Sequence, residues 1–333
     1  MAVACACSGD GYVSLNGYAQ GGAYCVKYNS EGVKLSPAQV HSAVDSILTD
    51  IDFSLSGYNR ASVLSRLNDG DTVTLSGTFC DMYAKAYEAY VRTGGYVDAS
   101  SAPLFDIWGF GFTPDSLPDP SIVRRTLAVC GFERLKKPEE IPAFAVLGRI
   151  CSKDLLKDTS GMAPKLNFNA IAQGYTSDRI AEYLHSLGVR DMLVDIGEIY
   201  CEGLNPSGKG WTVGVDNPVD GNESPGADIR AIWESDGSAC GIVTSGNYRK
   251  FYIRDGKKYS HTIDPWVGYP VEHNLLSATV LAPTAFEADM YATYFMVVGT
   301  DRAKRFVEGT RGVECLLITS DGTWTSDGFT LKR

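Results

Sequence analysis

The chain has 333 residues and a formal net charge of −10 at pH 7. Hydrophobic residues make up 44% of it and charged residues 21%, a composition typical of a globular protein with an ample core. This acidic balance argues against nucleic-acid binding, and no apolar run reaches the roughly 18 residues that a membrane-spanning helix needs.

The nine cysteines are odd in number and scattered along the chain. No two of them have the Cys-x-x-Cys spacing, and no group has the spacing of a zinc site. Most lie in apolar segments, where a free cysteine behaves as a small buried hydrophobic residue. The sequence therefore predicts no disulfide framework, no zinc site and no catalytic cysteine.

Residues 1–11 are predicted to form a flexible N-terminal segment, and residues 12–333 to form one domain. The beginning lacks the charged start and apolar stretch of a signal peptide. Small residues ahead of Cys5 resemble the end of a bacterial lipoprotein signal whose front has been removed. Alternatively, Cys5 and Cys7 simply begin a frayed terminus, and the sequence leaves both readings open.

The first half of the chain predicts a strand pair and several helices. Residues 13–28 alternate around glycines, which indicates a strand with a turn or bulge in it. Ser36 and Pro37 are an N-cap and a first helical residue, and the helix that follows carries an apolar stripe to Ile51. Two more helices are expected, at 78–92 before paired glycines and at 121–130.

The second half interleaves strands and helices. After a turn of small residues, a helix is predicted to carry Ile180, Leu184 and Leu187 and to end at Gly188. Two further helices are expected at 285–298 and 301–308. Strands are expected at 192–197, 198–201, 211–215, 229–233, 241–244, 313–319 and after residue 322. Because the order is not a strict βαβ alternation, the predicted fold class is α+β.

The stretch from Gly241 to Thr293 holds the clearest candidate site. His261 and Asp264 lie between a strand and a Pro/Gly turn, which is typical of a site on a loop. Asp289 and Thr293 are four residues apart on a predicted helix, so both oxygens project from one face. Such a pair can be half of a Mg²⁺ site, since Mg²⁺ prefers oxygen ligands. The alternatives are a surface or capping pair, and a histidine that orders the turn.

Taken in order, several blocks of the sequence resemble the ApbE family of FAD:protein FMN transferases. The resemblance runs from about Gly17 to Val298. The blocks are Tyr58 with Ser62-x-Leu64-Ser65-Arg66-Leu67-Asn68, Gly95-x-x-Asp98 with Pro103-Leu104 and Trp108-Gly109-Phe110-Gly111, Ile171-Ala172-x-Gly174-Tyr175, Val194-Asp195-Ile196-Gly197, Trp211-x-Val213-Gly214, Thr244-Ser245-Gly246-x-Tyr248-Arg249, Ser260-His261-x-Ile263-Asp264-Pro265 and Glu287-Ala288-Asp289-x-x-x-Thr293.

The resemblance implies a flavin site and a transfer reaction. Such enzymes bind FAD, hold its pyrophosphate with Mg²⁺, pass the FMN half to a Ser or Thr hydroxyl of a partner protein and release AMP. The expected partners are flavin-acceptor subunits of electron-transfer complexes, on the extracytoplasmic or periplasmic face of a bacterial membrane, with a lipid anchor in the native form. The expected fold is a single domain of mixed sheets with packed helices and a flavin site between two intertwined halves.

The resemblance also assigns roles to residues. Asp289 and Thr293 match the side-chain ligands of the metal, and Ala170 falls where a backbone carbonyl completes the set. His261 is the candidate general base, since an unperturbed histidine titrates near neutrality. The expected flavin contacts are Gln20, Tyr58, Tyr96, Val97, Asp98, Asn167, Gln173 and Ile263. Among them, Tyr58 is expected to stack on the isoalloxazine ring, and Asp98 to contact adenine or ribose, or else to cap a turn.

The chain departs from the family pattern at several of these positions. Asn167 and Asn247 stand where aspartate is common, and Gln173 replaces a usual lysine or glutamate. The Asp195–Glu198 block is one glycine short, and Asn169-Ala170 stands in for a pair of smaller residues. These changes either retune FAD affinity or signal lost transferase activity. Because the metal ligands and the candidate base are intact, an active enzyme is favoured over a non-enzymatic FAD carrier or an FAD pyrophosphatase.

Overall fold

A computed structural model describes residues 11–111, 117–220, 222, 224, 226–248, 251–254 and 256–332. The chain divides into two compact units. The first is Met1–Leu48, Gln173–Arg249 and His273–Arg333, and the second is Thr49–Ala172 and Lys250–Glu272. The predicted terminal segment, with Cys5 and Cys7, lies outside the described residues apart from Gly11, as does Arg249 of the predicted blocks.

The strands in the described part of the chain are, in order, β1 (Tyr12–Ala19), β2 (Gly22–Asn29), β3 (Val73–Thr74), β4 (Arg149–Ile150), β5 (Met192–Asp195), β6 (Ile199–Glu202), β7 (Thr212–Asp216), β8 (Ile229–Glu234), β9 (Cys240–Gly246), β10 (Phe251–Arg254), β11 (Lys257–Ser260), β12 (Ile263–Asp264), β13 (Tyr269–Pro270), β14 (Leu275–Ala282), β15 (Glu314–Thr319) and β16 (Gly322–Thr325).

The α-helices are α1 (Pro37–Leu55), α2 (Val63–Asn68), α3 (Gly77–Arg92), α4 (Ala102–Ile107), α5 (Pro120–Leu127), α6 (Pro142–Ala145), α7 (Ala172–Ser186), α8 (Ala285–Val298) and α9 (Thr300–Gly309). Short 3-10 helices lie at Ala99–Ser101, Phe132–Arg134, Pro138–Glu140 and Ser152–Leu155. No helix in the ranges that the structure describes is long and apolar enough to cross a membrane.

Most predicted elements are confirmed to within a few residues, because their signals are local. Helix α1 begins at Pro37 as expected, and the hydroxyl of Ser36 accepts the backbone N–H of Gln39 at 3.3 Å. Residues 13–28 form the antiparallel pair of β1 and β2, with the turn at Gln20 and Gly21. The α+β class is confirmed as well, since helices and mixed sheets both occur throughout the described chain.

The first unit is built on an eight-stranded sheet in the order β1-β2-β5-β6-β9-β14-β15-β16. Neighbouring strands pair antiparallel throughout this sheet. Strand β5 is buried on both faces: Met192 and Val194 pack with α1 and α7, whereas Leu193 packs with β7 and β8. Because side chains alternate along a strand, this one strand contributes to two hydrophobic cores.

Helix α8 packs against the sheet with almost all of its surface buried. Most of its side chains are apolar, which is typical of a helix buried on every side. Strand β9 approaches it so closely that a Cβ atom at Gly241 would lie 2.4 Å from the Cα of Ala285. Both carboxylate oxygens of Asp178 accept backbone N–H groups at the start of α8, from Ala285 and Phe286, each at 2.8 Å. Helix α8 is therefore held tightly at its N-terminal end.

The second unit has two hydrophobic centres. One is formed by aromatic rings, with Tyr83 packed against Phe132 and Phe144. The other surrounds Trp108 and Ile263, and the indole N–H of Trp108 donates to the carbonyl of Gly268 at 2.8 Å. Short two-stranded sheets, β3-β4, β10-β11 and β12-β13, complete the unit.

Candidate active site

Asp289 is a buried carboxylate inside the apolar helix α8. Only 5% of the residue is exposed, and its Oδ2 accepts the backbone N–H of Gly174 in α7 at 3.0 Å. A Cβ atom at Gly174 would lie 2.3 Å from the carbonyl oxygen of Ala285 and 2.8 Å from the Cβ of Asp289. Glycine is thus required at position 174, because α7 and α8 come too close for any side chain.

A second buried carboxylate belongs to the same unit. The Oε2 atom of Glu198 is buried and has no hydrogen-bond partner. Burial, followed by the negative charge of Asp289, raises the pKa of Glu198 well above its ordinary value. Burial likewise raises the pKa of Asp289 to about 8, and the charge of Asp178 adds to that shift. Uncompensated buried charge is costly, so an acid of this kind is either protonated or paired with a cation.

Thr293 is half-buried one helical turn after Asp289. The prediction that both lie on one helix is confirmed, and the alternative of a surface pair is wrong for Asp289. Among the described residues, no group of three or more His, Cys, Asp or Glu side chains could hold a metal by itself. A metal here would need hydroxyl or carbonyl oxygens as well, which is the donor set predicted from Thr293 and Ala170. Ala170 belongs to the second unit.

Gln20 and Gln173, two predicted flavin contacts, lie in the first unit, Gln173 in the first turn of α7 and Gln20 against the same helix. The side chain of Gln20 donates through Nε2 to the hydroxyl of Thr176 at 2.6 Å. Gln173 donates through Nε2 to the carbonyl of Ile196 at 3.1 Å. Both amides are therefore held in place by neighbours within the same unit.

In the second unit, Tyr58 and Asn167 line one cavity of about 420 Å³. This volume lies within the usual range for small-molecule sites. Tyr58 is 71% exposed, and two cationic side chains, Arg60 and Lys165, also line the cavity. The structure therefore brings together two of the predicted flavin residues. Two carboxylates, Asp69 and Asp106, also line the cavity, and Asp106 lies 4.0 Å from the ammonium group of Lys165.

A frame of hydrogen bonds holds Asn167 next to the segment that carries Asp98. The side-chain amide of Asn68 both donates to the carbonyl of Leu166 and accepts its N–H, each at 2.8 Å. The backbone N–H of Asn167 then donates to the carbonyl of Ala99 at 2.8 Å. The last residue of the Ser62–Asn68 block is thus explained by its structural role in placing Asn167.

Asp98 caps the 3-10 helix that follows it. Its Oδ1 accepts the backbone N–H of Ser100 at 2.8 Å and the hydroxyl of the same residue at 2.7 Å. Burial raises the pKa of Asp98 to about 6, although these hydrogen bonds oppose the shift. Of the two roles predicted for Asp98, the cap is confirmed, and the contact with adenine or ribose stays a prediction. The two predicted flavin contacts that precede Asp98 have different surroundings. Val97 is buried, whereas the ring of Tyr96 contacts the edge of Trp266.

His261 follows β11 and meets Phe110 edge-on, with ring centroids 6.4 Å apart. Phe110 itself lines the cavity of Tyr58 and Asn167. Asp264 accepts the backbone N–H of Trp266 through Oδ1 at 2.8 Å, so it builds the turn rather than the chemistry. The buried side chain of Ile263 packs in the Trp108 core, which leaves only its backbone for the predicted flavin contact.

Three residues of these sites were not predicted: Glu198, Arg60 and Lys165. Each lies inside a block that carried the family resemblance or next to one. Arg60 and Lys165 lie beside turns of small residues in an acidic chain, and this pattern is an indication of an anion-binding site in the sequence. Glu198 had no such signal, because its burial depends on contacts between distant parts of the chain.

The solved structures that this chain resembles include flavin transferases. The apo form of the flavinyl transferase ApbE from Pseudomonas stutzeri is 29% identical, with a TM-score of 0.78 over 95% of both chains. The flavin transferase ApbE from Vibrio cholerae is 27% identical, with a TM-score of 0.74 over 96% of this chain and 98% of that one.

The sequence comparisons agree with the structural ones. The model of the ApbE family matches residues 20–317. The FAD:protein FMN transferase of Haemophilus influenzae is 30% identical over 96% of this chain and 89% of its own length. That of Salmonella typhimurium is 32% identical over 88% of this chain and 81% of its own. The chain belongs to the ApbE family, as the resemblance predicted.

Proposed function

We propose that this protein is an FAD:protein FMN transferase, which moves the FMN moiety of FAD to a Ser or Thr hydroxyl of a target protein and releases AMP with the help of Mg²⁺. Membership of the ApbE family supports flavin transfer. The observation that carries the Mg²⁺ requirement is the buried carboxylate of Asp289, which lies one helical turn before Thr293 on α8.

Asp289 and Thr293 are the side chains that would hold Mg²⁺. When bound, Mg²⁺ neutralises the charge that develops on the pyrophosphate during phosphoryl transfer. The carbonyl of Ala170 remains the predicted third ligand. Gly174 contributes by orienting Asp289: its N–H occupies one carboxylate oxygen, Oδ2, and leaves the other free for a ligand.

FAD binding draws on the cavity lined by Tyr58 and Asn167. An exposed aromatic ring at its rim suits the flat isoalloxazine, since offset stacking adds about 0.5–1.5 kcal/mol beyond the burial of area. Arg60 offers a cationic side chain for a phosphate, whereas the ammonium group of Lys165 lies 4.0 Å from the carboxylate of Asp106. The remaining flavin contacts stay predictions: Gln20, Tyr96, Val97, Asp98, Gln173 and Ile263.

The proposed reaction is a phosphoryl transfer in which His261 is the general base. The hydroxyl oxygen of the acceptor forms a bond to the phosphorus on the FMN side, and the bond from that phosphorus to the bridging oxygen breaks. AMP leaves with the bridging oxygen, and the hydroxyl proton passes to the imidazole of His261. Phosphoryl transfer depends mainly on positioning and charge neutralisation, so few catalytic side chains are needed.

The proposed acceptors are flavin-binding subunits of electron-transfer complexes on the extracytoplasmic or periplasmic side of a bacterial membrane. The family resemblance and the small residues ahead of Cys5 support this location and a lipid anchor near Cys5. Separation of membrane and periplasmic fractions of the native host, followed by detection of the protein, tests the location. Recovery in the cytosol would contradict it.

The test of the transfer reaction uses the purified chain with FAD, MgCl₂ and a flavin-acceptor subunit. We expect an acceptor that carries covalently attached, fluorescent FMN, together with an equal amount of AMP. FMN and AMP without labelled acceptor would instead identify an FAD pyrophosphatase, and tight FAD binding without AMP would identify a carrier.

The role of His261 is tested with His261→Gln, which should slow labelling by about 10²–10⁴-fold while FAD binding persists. The matched control is His41→Gln, because His41 is a half-exposed histidine of α1 beside Tyr24. Equal labelling rates for the two variants would show that His261 is not the general base.

A further inference from the structure

Four aromatic rings of the second unit form a continuous stack, the aromatic column, which consists of Trp108, Tyr259, Tyr252 and Phe110. Trp108 stacks on Tyr259, with ring centroids 5.9 Å apart and planes 27° from parallel. Tyr259 stacks on Tyr252 at 5.3 Å and 20°, and Tyr252 stacks on Phe110 at 5.2 Å and 28°. Aromatic rings attract one another at centroid separations of about 4.5–7 Å, so each contact in the column is favourable.

We propose that the aromatic column holds the imidazole of His261 beside the cavity of Tyr58 and Asn167, so that Tyr252 and Phe110 are positioning residues for the general base. Phe110 connects the two places, because its ring lines that cavity and also meets the imidazole edge-on at 6.4 Å. This inference rests on the proposed role of His261, and it gives a role to two residues that had none in the reaction.

The far end of the aromatic column is fixed. Trp108 is buried, and its indole N–H donates to the carbonyl of Gly268 at 2.8 Å. In the middle of the column, Tyr252 and Tyr259 are directly opposite each other on β10 and β11, where paired side chains lie on the same face. Phe110, at the cavity end, is half-buried. The position of its ring is therefore set by a stack whose other end is anchored in the core.

A general base must be placed accurately. Its nitrogen has to come within about 2.6–3.2 Å of the hydroxyl whose proton it takes. A misplacement of about 1 Å can cost about 100-fold in rate. His261 follows Ser260, the last residue of β11, where the pairing with β10 ends. Ring packing therefore contributes to the placement of the imidazole where strand pairing no longer does.

The alternative is that the aromatic column only fills the interior of the second unit. Two substitutions at one position separate the two roles. Tyr252→Leu removes the ring and keeps an apolar side chain, whereas Tyr252→Phe keeps the ring and removes only the hydroxyl. Tyr252 is not among the described residues that line the cavity of Tyr58 and Asn167, so neither change alters the wall of that cavity.

The first measurement is the rate of acceptor labelling at saturating FAD and MgCl₂, together with the affinity for FAD. We expect Tyr252→Leu to slow labelling by about 10- to 100-fold with unchanged FAD affinity, and Tyr252→Phe to label at the wild-type rate. The matched control is Tyr87→Leu, because Tyr87 is a half-buried ring of the same unit that packs on Phe132 at 5.9 Å. It should label as the wild type does.

Proton NMR measures the position of the imidazole independently of activity. The chain has four histidines, and the Cε1 proton resonance that disappears in His261→Gln belongs to His261. The ring current of Phe110 acts on this imidazole, so a change in their relative position moves the resonance. We expect Tyr252→Leu to shift it, and Tyr252→Phe and Tyr87→Leu to leave it in place.

Phe110→Leu is the second variant and decides the question if Tyr252→Leu does not fold. It removes the ring that meets the imidazole directly, and it should move the same resonance and slow labelling at saturating FAD. Labelling at the wild-type rate, or slower labelling with an unmoved His261 resonance, would overturn the inference and leave the proposed function intact. If the wild type labels no acceptor, or if His261→Gln labels as fast as the wild type, the proposed role of His261 fails and the inference fails with it.

Discussion

Replacing Gly174 with alanine tests whether the contact between α7 and α8 determines the position of Asp289. The added methyl group has no space, because its carbon would lie 2.3 Å from the carbonyl oxygen of Ala285 and 2.8 Å from the Cβ of Asp289. The first of these neighbours is backbone at the closely packed start of α8, so it cannot rotate away. Either the two helices separate or the local backbone distorts.

The expected cost follows from this overpacking. Insertion of a methyl group into a well-packed interior destabilises a protein by about 1–3 kcal/mol. Separation of the helices would also weaken the 3.0 Å hydrogen bond from Gly174 to Asp289, whose loss contributes a further 1 kcal/mol or so. We expect the free energy of unfolding to fall by about 2–4 kcal/mol in total.

Urea unfolding followed by circular dichroism measures this change, with Gly77→Ala as the matched control. Gly77 is the first residue of α3, and a Cβ atom there would meet nothing within 4 Å. Alanine at an unstrained helical position should stabilise the protein by about 0.4–1 kcal/mol. The two substitutions are chemically identical and should have opposite signs. A neutral or stabilising Gly174→Ala would refute the close approach of α7 and α8.

Three further predictions follow from single contacts. Burial raises the pKa of Asp98 to about 6, so its charged form destabilises the folded protein above that pH. The free energy of unfolding of Asp98→Asn, relative to the wild type, should therefore rise by up to about 3 kcal/mol between pH 4 and pH 7. A difference between variant and wild type that does not change with pH would contradict the raised pKa. Asp178→Ala should lower the free energy of unfolding by about 1–2 kcal/mol, because the first two N–H groups of α8 lose their acceptors, and an unchanged urea midpoint would exclude that role. The sulfur atoms of Cys201 and Cys240 are 3.8 Å apart on paired strands. Oxidised glutathione should therefore convert these two thiols into a Cys201–Cys240 disulfide, with release of two molecules of reduced glutathione. Mass spectrometry should show the loss of two hydrogens in the wild type and no such loss in Cys201→Ser.

The prediction of no disulfide framework rested on spacing along the chain, and spacing cannot detect the approach of Cys201 and Cys240. The seven described cysteines are free. Their sulfur contact arises only because β6 pairs with β9, two strands separated by a hairpin and several loops. Pairing of strands far apart in the sequence depends on the whole sheet.

The family resemblance located the candidate site more fully than any local pattern. Spacing alone placed Asp289 and Thr293 on one helix face and Asp264 in a turn, and both expectations hold. The blocks also placed Tyr58 and Asn167 within one family site, and these two residues line one cavity. Arg60 and Lys165 remained unassigned because the charge of a residue does not reveal which cavity it faces.

The stretch from Gly241 to Thr293 separates what the sequence determines from what only the tertiary structure decides. The sequence determines helix α8 and its N-terminal cap, and the helical repeat places Asp289 and Thr293 on one face. Each of these features depends only on residues within a few positions. The burial of Asp289 does not, because it requires Gly174, 115 positions away, to bring α7 against α8. Local periodicity specifies a helix face, whereas the surroundings of that face are decided by how distant elements pack.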